Sequence, residues 1–210
     1  MTTILLVSLL IGMRHALESD HLAAVASLAT RSPGLRQTLL LGTIWGVGHT
    51  LALLLFGSVV VWLGSTVPQA LAEGLELIVA IMLLALGTEV LLRLHRRRDR
   101  PCAGESGDLP PHAPLHRLTL RALLVGVVHG MAGTSALLLL ALPAIETPWE
   151  GMVYILTFGL GSILGMAALS AMIALPLSRR PTSRQDALQI AVGLFTLGSG
   201  FRIAWNLLAG

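Results

Sequence analysis

Apolar residues fall in long runs along this chain rather than in the short alternation of strands. Runs at roughly 3–29, 37–63, 70–94, 118–143, 149–176 and 185–208 are each about the length a helix needs to cross a bilayer. Turn-forming residues separate most of them: Ser32-Pro33-Gly34, Pro68, the stretch from Pro143 to Pro148, and Arg179-Arg180-Pro181. Residues 95–117, rich in Arg, Pro, Gly and His, read as a linker with little fixed structure. The pattern predicts an all-α integral membrane protein with six transmembrane helices. Residues 1–94 and 118–210 form two three-helix units, joined by the flexible cytoplasmic linker 95–117.

Composition agrees. Of the residues 54% are hydrophobic and only 12% charged, against about 25% charged in soluble domains. The net charge of +3 does not point to nucleic acid. All fourteen basic residues are Arg, and twelve of them sit in three short segments between apolar runs. That is a pattern of membrane topology rather than a continuous basic face. Loops 30–36, 95–117 and 178–184 carry the arginines, whereas loop four carries Glu146 and Glu150. The basic loops are therefore expected in the cytoplasm and both termini outside, in a cell inner (plasma) membrane. Trp62, Trp149 and Trp205 then fall near the outer interface, and Arg96-Arg97-Arg98 meets anionic lipid. Cys102 is the single cysteine, so no intramolecular disulfide forms. The amino-terminal run lacks a basic leader and is soon interrupted by Arg14 and His15, so a cleaved signal peptide is not expected.

The halves resemble one another. Gly12-Met13-Arg14-His15 aligns with Gly126-Val127-Val128-His129, Gly46-Val47-Gly48 with Gly159-Leu160-Gly161, and Leu86-Gly87-Thr88 with Leu197-Gly198-Ser199. The weight lies in the order and the near-constant offset of 111 to 114 residues. A unit of three helices reverses orientation when repeated. The expected architecture is thus two inverted three-helix repeats, a transporter arrangement with its substrate site near the midplane between them.

Chemistry concentrates in the first run. Arg14, His15, Glu18, Asp20 and His21 are five ionisable groups within eight residues, in mid-membrane. Each would cost roughly 2.5–3.5 kcal/mol if left facing lipid. They therefore need a cavity, mutual pairing or an ion. His49 and His129 bring two more imidazoles to similar depth. On a straight helix Arg14, Glu18 and His21 share a face, and Arg14 and Glu18 are spaced to balance each other's charge. His15 would lie about 120° from His21, at 100° per residue. One straight helix cannot aim His15, Asp20 and His21 at one ion. Either it is locally unwound, near Glu18–Asp20, or some of these groups hold the ligands rather than the ion. Imidazole with carboxylate suits Ni²⁺, Co²⁺ or Zn²⁺ better than Mg²⁺ or Ca²⁺.

The run Arg14-His15-Ala16-Leu17-Glu18-Ser19-Asp20-His21 resembles the signature helix of the nickel/cobalt transporter family, Arg-His-Ala-x-Asp-Ala-Asp-His. Trp45-Gly46-Val47-Gly48-His49-Thr50 is similar to that family's Leu-Gly-His-Ser motif. His129-Gly130-Met131-Ala132-Gly133-Thr134-Ser135 resembles its small urease-accessory-type nickel permease branch. The resemblance implies metal-transport roles for His15, Asp20, His21 and His49. Glu18 and Ser19 depart from the signature, where Asp and Ala are usual. The larger members have eight helices, whereas six are expected here.

The leading expectation is a secondary transporter of a divalent transition-metal ion, Ni²⁺ or Co²⁺, not an enzyme. Its metal ligands come from His15, Asp20, His21, His49 and His129. Its partners are the ion and the lipid bilayer, with no nucleic acid and no resident cofactor; assembly with further copies of itself stays open. Gly-Lys-Ser/Thr nucleotide motifs are absent, since the chain has no Lys. Two alternatives use the same groups. An intramembrane metal-dependent hydrolase would activate water at the ion, but no His-Glu-x-x-His occurs. A haem-binding electron carrier would need His49 and His129 facing each other. Several nearby features read as structural: Gly46, Gly48, Gly130 and Gly133 as close-packing positions, and Glu89 with Arg93 as a surface pair. His129 has no carboxylate near it in sequence. His95, Cys102, His112 and His116 match no compact metal site.

Overall fold

The computed structural model describes residues 2–30, 34–63, 67–98, 115–141, 147–178 and 182–209. All are helical or in short turns. The helices are α1 (Thr2–His15), α2 (Ser19–Ala29), α3 (Leu35–Leu63), α4 (Gln69–Arg98), α5 (Leu115–Ala141), α6 (Pro148–Ser178) and α7 (Thr182–Ala209). Four of them contain spans long and apolar enough to cross a membrane: Leu35–Leu63, Gln69–Arg96, Pro148–Leu175 and Gln185–Ala209. Expected and observed boundaries agree within a few residues. The expected end of the fourth span, the arginine-rich turn at 179–181, and Cys102 and His112 in the linker lie outside the described residues.

The first predicted helix is two helices. The break falls at Ala16-Leu17-Glu18, slightly before the expected place. Leu17 N donates to Arg14 O at 2.9 Å and Glu18 N to His15 O at 3.0 Å, so the end of α1 tightens into three-residue turns. Glu18 then turns extended, at φ −62° and ψ 149°, and its carbonyl accepts from Leu22 N at 2.9 Å to start α2. Ala, Leu and Glu are all good helix formers, so local propensity does not cause the break. Tertiary surroundings do. Ala16 is fully buried, with its Cβ close against Gly165. Leu17, Glu18 and Ser19 line a cavity, the setting in which non-helical backbone is tolerated at membrane depth.

Glycines set how closely the helices pack. A methyl group on Gly12 would collide with the Phe158 carbonyl, and one on Gly126 with the Trp45 carbonyl. Gly48 abuts Leu123 O just as Gly161 abuts Leu9 O; Gly46 faces Ile163 as Gly159 faces Thr50. Within each pair of contacts, the matching residues differ by 113 or 114 positions, the offset seen between the halves. These contacts also fix directions. Helix α5 runs parallel to α3, α6 antiparallel to α3, and α7 antiparallel to α4. Thr50 Oγ1, donating to Gly46 O at 2.8 Å and Gly159 O at 3.1 Å, ties the α3–α6 crossing. Many large apolar side chains face outward, including Leu6, Leu51, Leu55, Val59 and Leu164, as a lipid-facing surface requires. Trp62, Trp149 and Trp205 are exposed near helix ends.

Candidate metal centre

The break brings together what a straight helix would hold apart. The His15 and His21 ring centroids lie 4.4 Å from each other, and each lies 5.3 Å from that of His49 on α3. His129, on α5, stacks edge-on against His21 at 4.4 Å. His21, His49 and His129 are buried. Phe158 flanks His15, and Trp45 flanks both His21 and His129.

Two carboxylates orient the imidazoles. Glu18 Oε1 lies 3.0 Å from His15 Nδ1. Asp20 bridges two rings, with Oδ1 3.3 Å from His21 Nδ1 and Oδ2 2.8 Å from His129 Nε2. A carboxylate only accepts, so the facing nitrogen carries the proton and the other nitrogen keeps its lone pair. That leaves His15 Nε2, His21 Nε2 and His129 Nδ1 as bare acceptors, and none has a hydrogen-bond partner among the described residues. His49 is more extreme, with both ring nitrogens buried and unpartnered. An unsatisfied buried polar group costs about 1–3 kcal/mol. Four such groups in one cluster need a reason.

Metal ligation supplies one. Ligand atoms of His15, His21 and His49 all lie within 4.8 Å of one another, and so do those of Asp20, His21 and His129. Nitrogens sharing an ion at about 2.1 Å sit roughly 3–4 Å apart, so small side-chain rotations close either set on an ion.

His15, Asp20, His21 and His129 line a cavity of about 760 Å³, with His49 buried behind them. Its walls include Arg14, Glu18, Glu76, Tyr154 and Arg202. Glu76 lies near the start of α4, Tyr154 near the start of α6 and Arg202 near the end of α7. The cavity therefore opens toward the side of loop two, loop four and the carboxyl terminus. On the opposite side, that of the basic loops, Leu41, Trp45, Leu118, Ala122, Met166 and Leu169 close the core.

Several expectations are corrected by this geometry. Glu18 pairs with His15 rather than with Arg14, because the break destroys the i,i+4 spacing on which that pair depended. His129 does have a carboxylate beside it, Asp20, reached across the bundle from 109 residues away. Gly133 is not buried against another backbone; a methyl there would sit 3.6 Å from His15 Nε2 and 3.7 Å from His49 Cε1, beside the cluster. Glu89 holds Arg93 at 2.6 Å as expected, and also Arg121 at 3.3 Å. Sequence reasoning missed Glu76 and Arg202 as cavity walls. A charge seven residues inside the helix end was the available signal for each. Trp45, part of the His49 motif, is the largest fully buried side chain among the described residues.

Helices apolar enough to span a membrane, around buried imidazoles held by carboxylates, define a multi-pass membrane protein with a candidate metal centre. The chain is 32% identical to urease accessory protein UreH of Bacillus sp. (strain TB-90) over 218 aligned positions, which span 98% of this chain and 92% of that protein. It belongs to the UreH family of urease accessory proteins. It is also 23% identical over 175 residues to the chloroplast protein FOR GROWTH AND FERTILITY 1 of Arabidopsis thaliana, covering 78% of this chain but about half, 47%, of that protein. No protein-family model and no solved structure matches the chain.

Proposed function

We propose that the chain is a secondary carrier of a divalent transition-metal ion, with Ni²⁺ as its substrate and Co²⁺ as the nearest competitor. One observation carries this reading: His15, His21 and His49 converge from three helical segments with unpartnered nitrogens, beneath a cavity that His15 and His21 line. His15 Nε2, His21 Nε2 and a nitrogen of His49 receive the ion, and Asp20 and Glu18 hold the rings in the ligating tautomer. His129 Nδ1, also bare, extends this set, while Asp20 stays with the two rings it holds. Kinship with a urease accessory protein supports nickel over cobalt, since urease maturation needs nickel.

The carrier works as two inverted three-helix units, 1–94 and 118–210, rocking about the α3–α6 crossing. The paired glycine contacts and the parallel α3–α5 packing support this arrangement. The basic loops 30–36, 95–117 and 178–184 face the cytoplasm, and the termini and cavity mouth face outward. The haem alternative is not favoured, because His49 and His129, the pair it needs, each pack against His21 instead. The hydrolase alternative gains no support, since both carboxylates beside the rings are occupied in holding them.

The test is ⁶³Ni²⁺ flux in proteoliposomes, comparing the wild type with His15→Ala and His21→Ala. The wild type accumulates label and both variants lose it. A wild type that moves no metal, presented free or chelated, or variants that move it normally, overturns the reading.

A further inference from the structure

The cavity is built strangely for a bare cation. Two guanidiniums, Arg14 and Arg202, line it, and Arg14 has no ion-pair partner among the described residues. Arg14 sits in the last turn of α1, where the helix dipole favours a cation. Arg202 is placed against that logic. Its Nη2 donates to Ser19 Oγ at 2.8 Å, in the first turn of α2, whose dipole repels a cation. That turn has no side-chain cap from its N-cap residue, Glu18. Uncapped amides and two guanidiniums therefore adjoin His21, which is buried with Nε2 unpartnered. Helix amides with arginine are the chemistry that recognises a carboxylate.

Charge and size point the same way. With the imidazoles neutral, as ligation requires, two guanidiniums face three carboxylates (Glu18, Asp20, Glu76), which leaves one negative charge. A bare divalent ion converts this to one positive charge, at a site whose two guanidiniums are exposed to an incoming anion. An ion carrying one carboxylate ligand brings the sum to zero. The open cavity of about 760 Å³ has room for such a ligand beside the ion.

We propose that the substrate is a metal chelate bearing a carboxylate, with the imidazoles taking the ion and Arg14 and Arg202 taking the carboxylate. This rests on the carrier reading above. Dual-label flux in proteoliposomes tests it, with ⁶³Ni²⁺ presented alone, with ¹⁴C-L-histidine, or with ¹⁴C-histamine, which offers nickel the same amine and imidazole but no carboxylate. The wild type takes up ⁶³Ni and ¹⁴C together from nickel–histidine, and about tenfold less from nickel–histamine, the worth of a charge-assisted hydrogen bond. Arg202→Gln and Arg14→Gln abolish that preference. Arg202→Lys and Ser19→Ala, which keep the charge, retain it.

Uptake of ⁶³Ni without ¹⁴C, or equal use of histidine and histamine, overturns the chelate proposal and leaves the carrier reading intact. Loss of the preference in Ser19→Ala overturns it as well, by showing that Arg202 acts through the helix break. Absence of ⁶³Ni flux under every condition instead overturns the carrier reading.

Discussion

Asp20→Asn tests how the imidazoles are held. The carboxylate accepts from His129 at 2.8 Å and lies 3.3 Å from His21 Nδ1. Asparagine has one oxygen and one NH₂, so it can accept from only one of those rings. The shorter contact, to His129, keeps the oxygen. The NH₂ then faces His21 Nδ1, which must become an acceptor, and the ring proton moves to Nε2, the atom assigned to the ion. Disturbing an orienting partner of this kind typically costs about 10- to 100-fold in metal affinity, or about 1.4–2.7 kcal/mol. The assay is Ni²⁺ titration of the detergent-purified protein by calorimetry, with thermal unfolding measured in parallel. The expected result is a loss in that range with the melting transition retained. Affinity within twofold of the wild type would refute the orienting role. A loss far beyond about 100-fold would make Asp20 itself a ligand.

Other predictions follow from the same geometry. Gly133→Ala should leave Ni²⁺ affinity within a few-fold, since its methyl meets His15 and His49 at ordinary contact distance; Gly133→Val should abolish binding without unfolding, as measured by titration and circular dichroism. Gly12→Ala and Gly126→Ala should each destabilise by about 1–3 kcal/mol, because the added methyl strikes a carbonyl of a neighbouring helix. Gly198→Ala, where no atom of the described residues lies within 4 Å, should be neutral or stabilise by up to about 1 kcal/mol in the same thermal-shift series. Ni²⁺ affinity should fall on acidification, as protons compete for imidazole nitrogens, and calorimetry in buffers of different ionisation enthalpy should show proton release on binding.

How much of this was legible beforehand depends on the length scale of the cause. Apolar run length is a local property that favours helices directly, so the expected runs match the observed helices closely, apart from the break in the first. Turn residues such as Pro68 and Gly34 punctuate them for equally local reasons. His15, Asp20, His21 and His49 stood out because ionisable groups in apolar runs are costly. Glu76 and Arg202 obey the same rule, but charges within two turns of a helix end are a weaker signal than five ionisable groups within eight residues. The partners of these groups were not legible. Asp20 meets His129, and Ser19 meets Arg202, across separations of 109 and 183 residues. The Arg14–Glu18 pair was expected from a spacing that holds only in an unbroken helix.

By itself the sequence determined the helices, the basic loops, the offset between the halves and the identity of the polar residues, because each follows from local hydrophobicity and spacing. Only the tertiary structure decided where the first helix breaks and which nitrogens stay bare. Ala16, Leu17 and Glu18 favour a continuous helix. The packing of Ala16 against Gly165 and the pull of Asp20 toward His129 are long-range contacts that outweigh that preference. A metal site shared by segments distant in the chain exists only once those segments have packed.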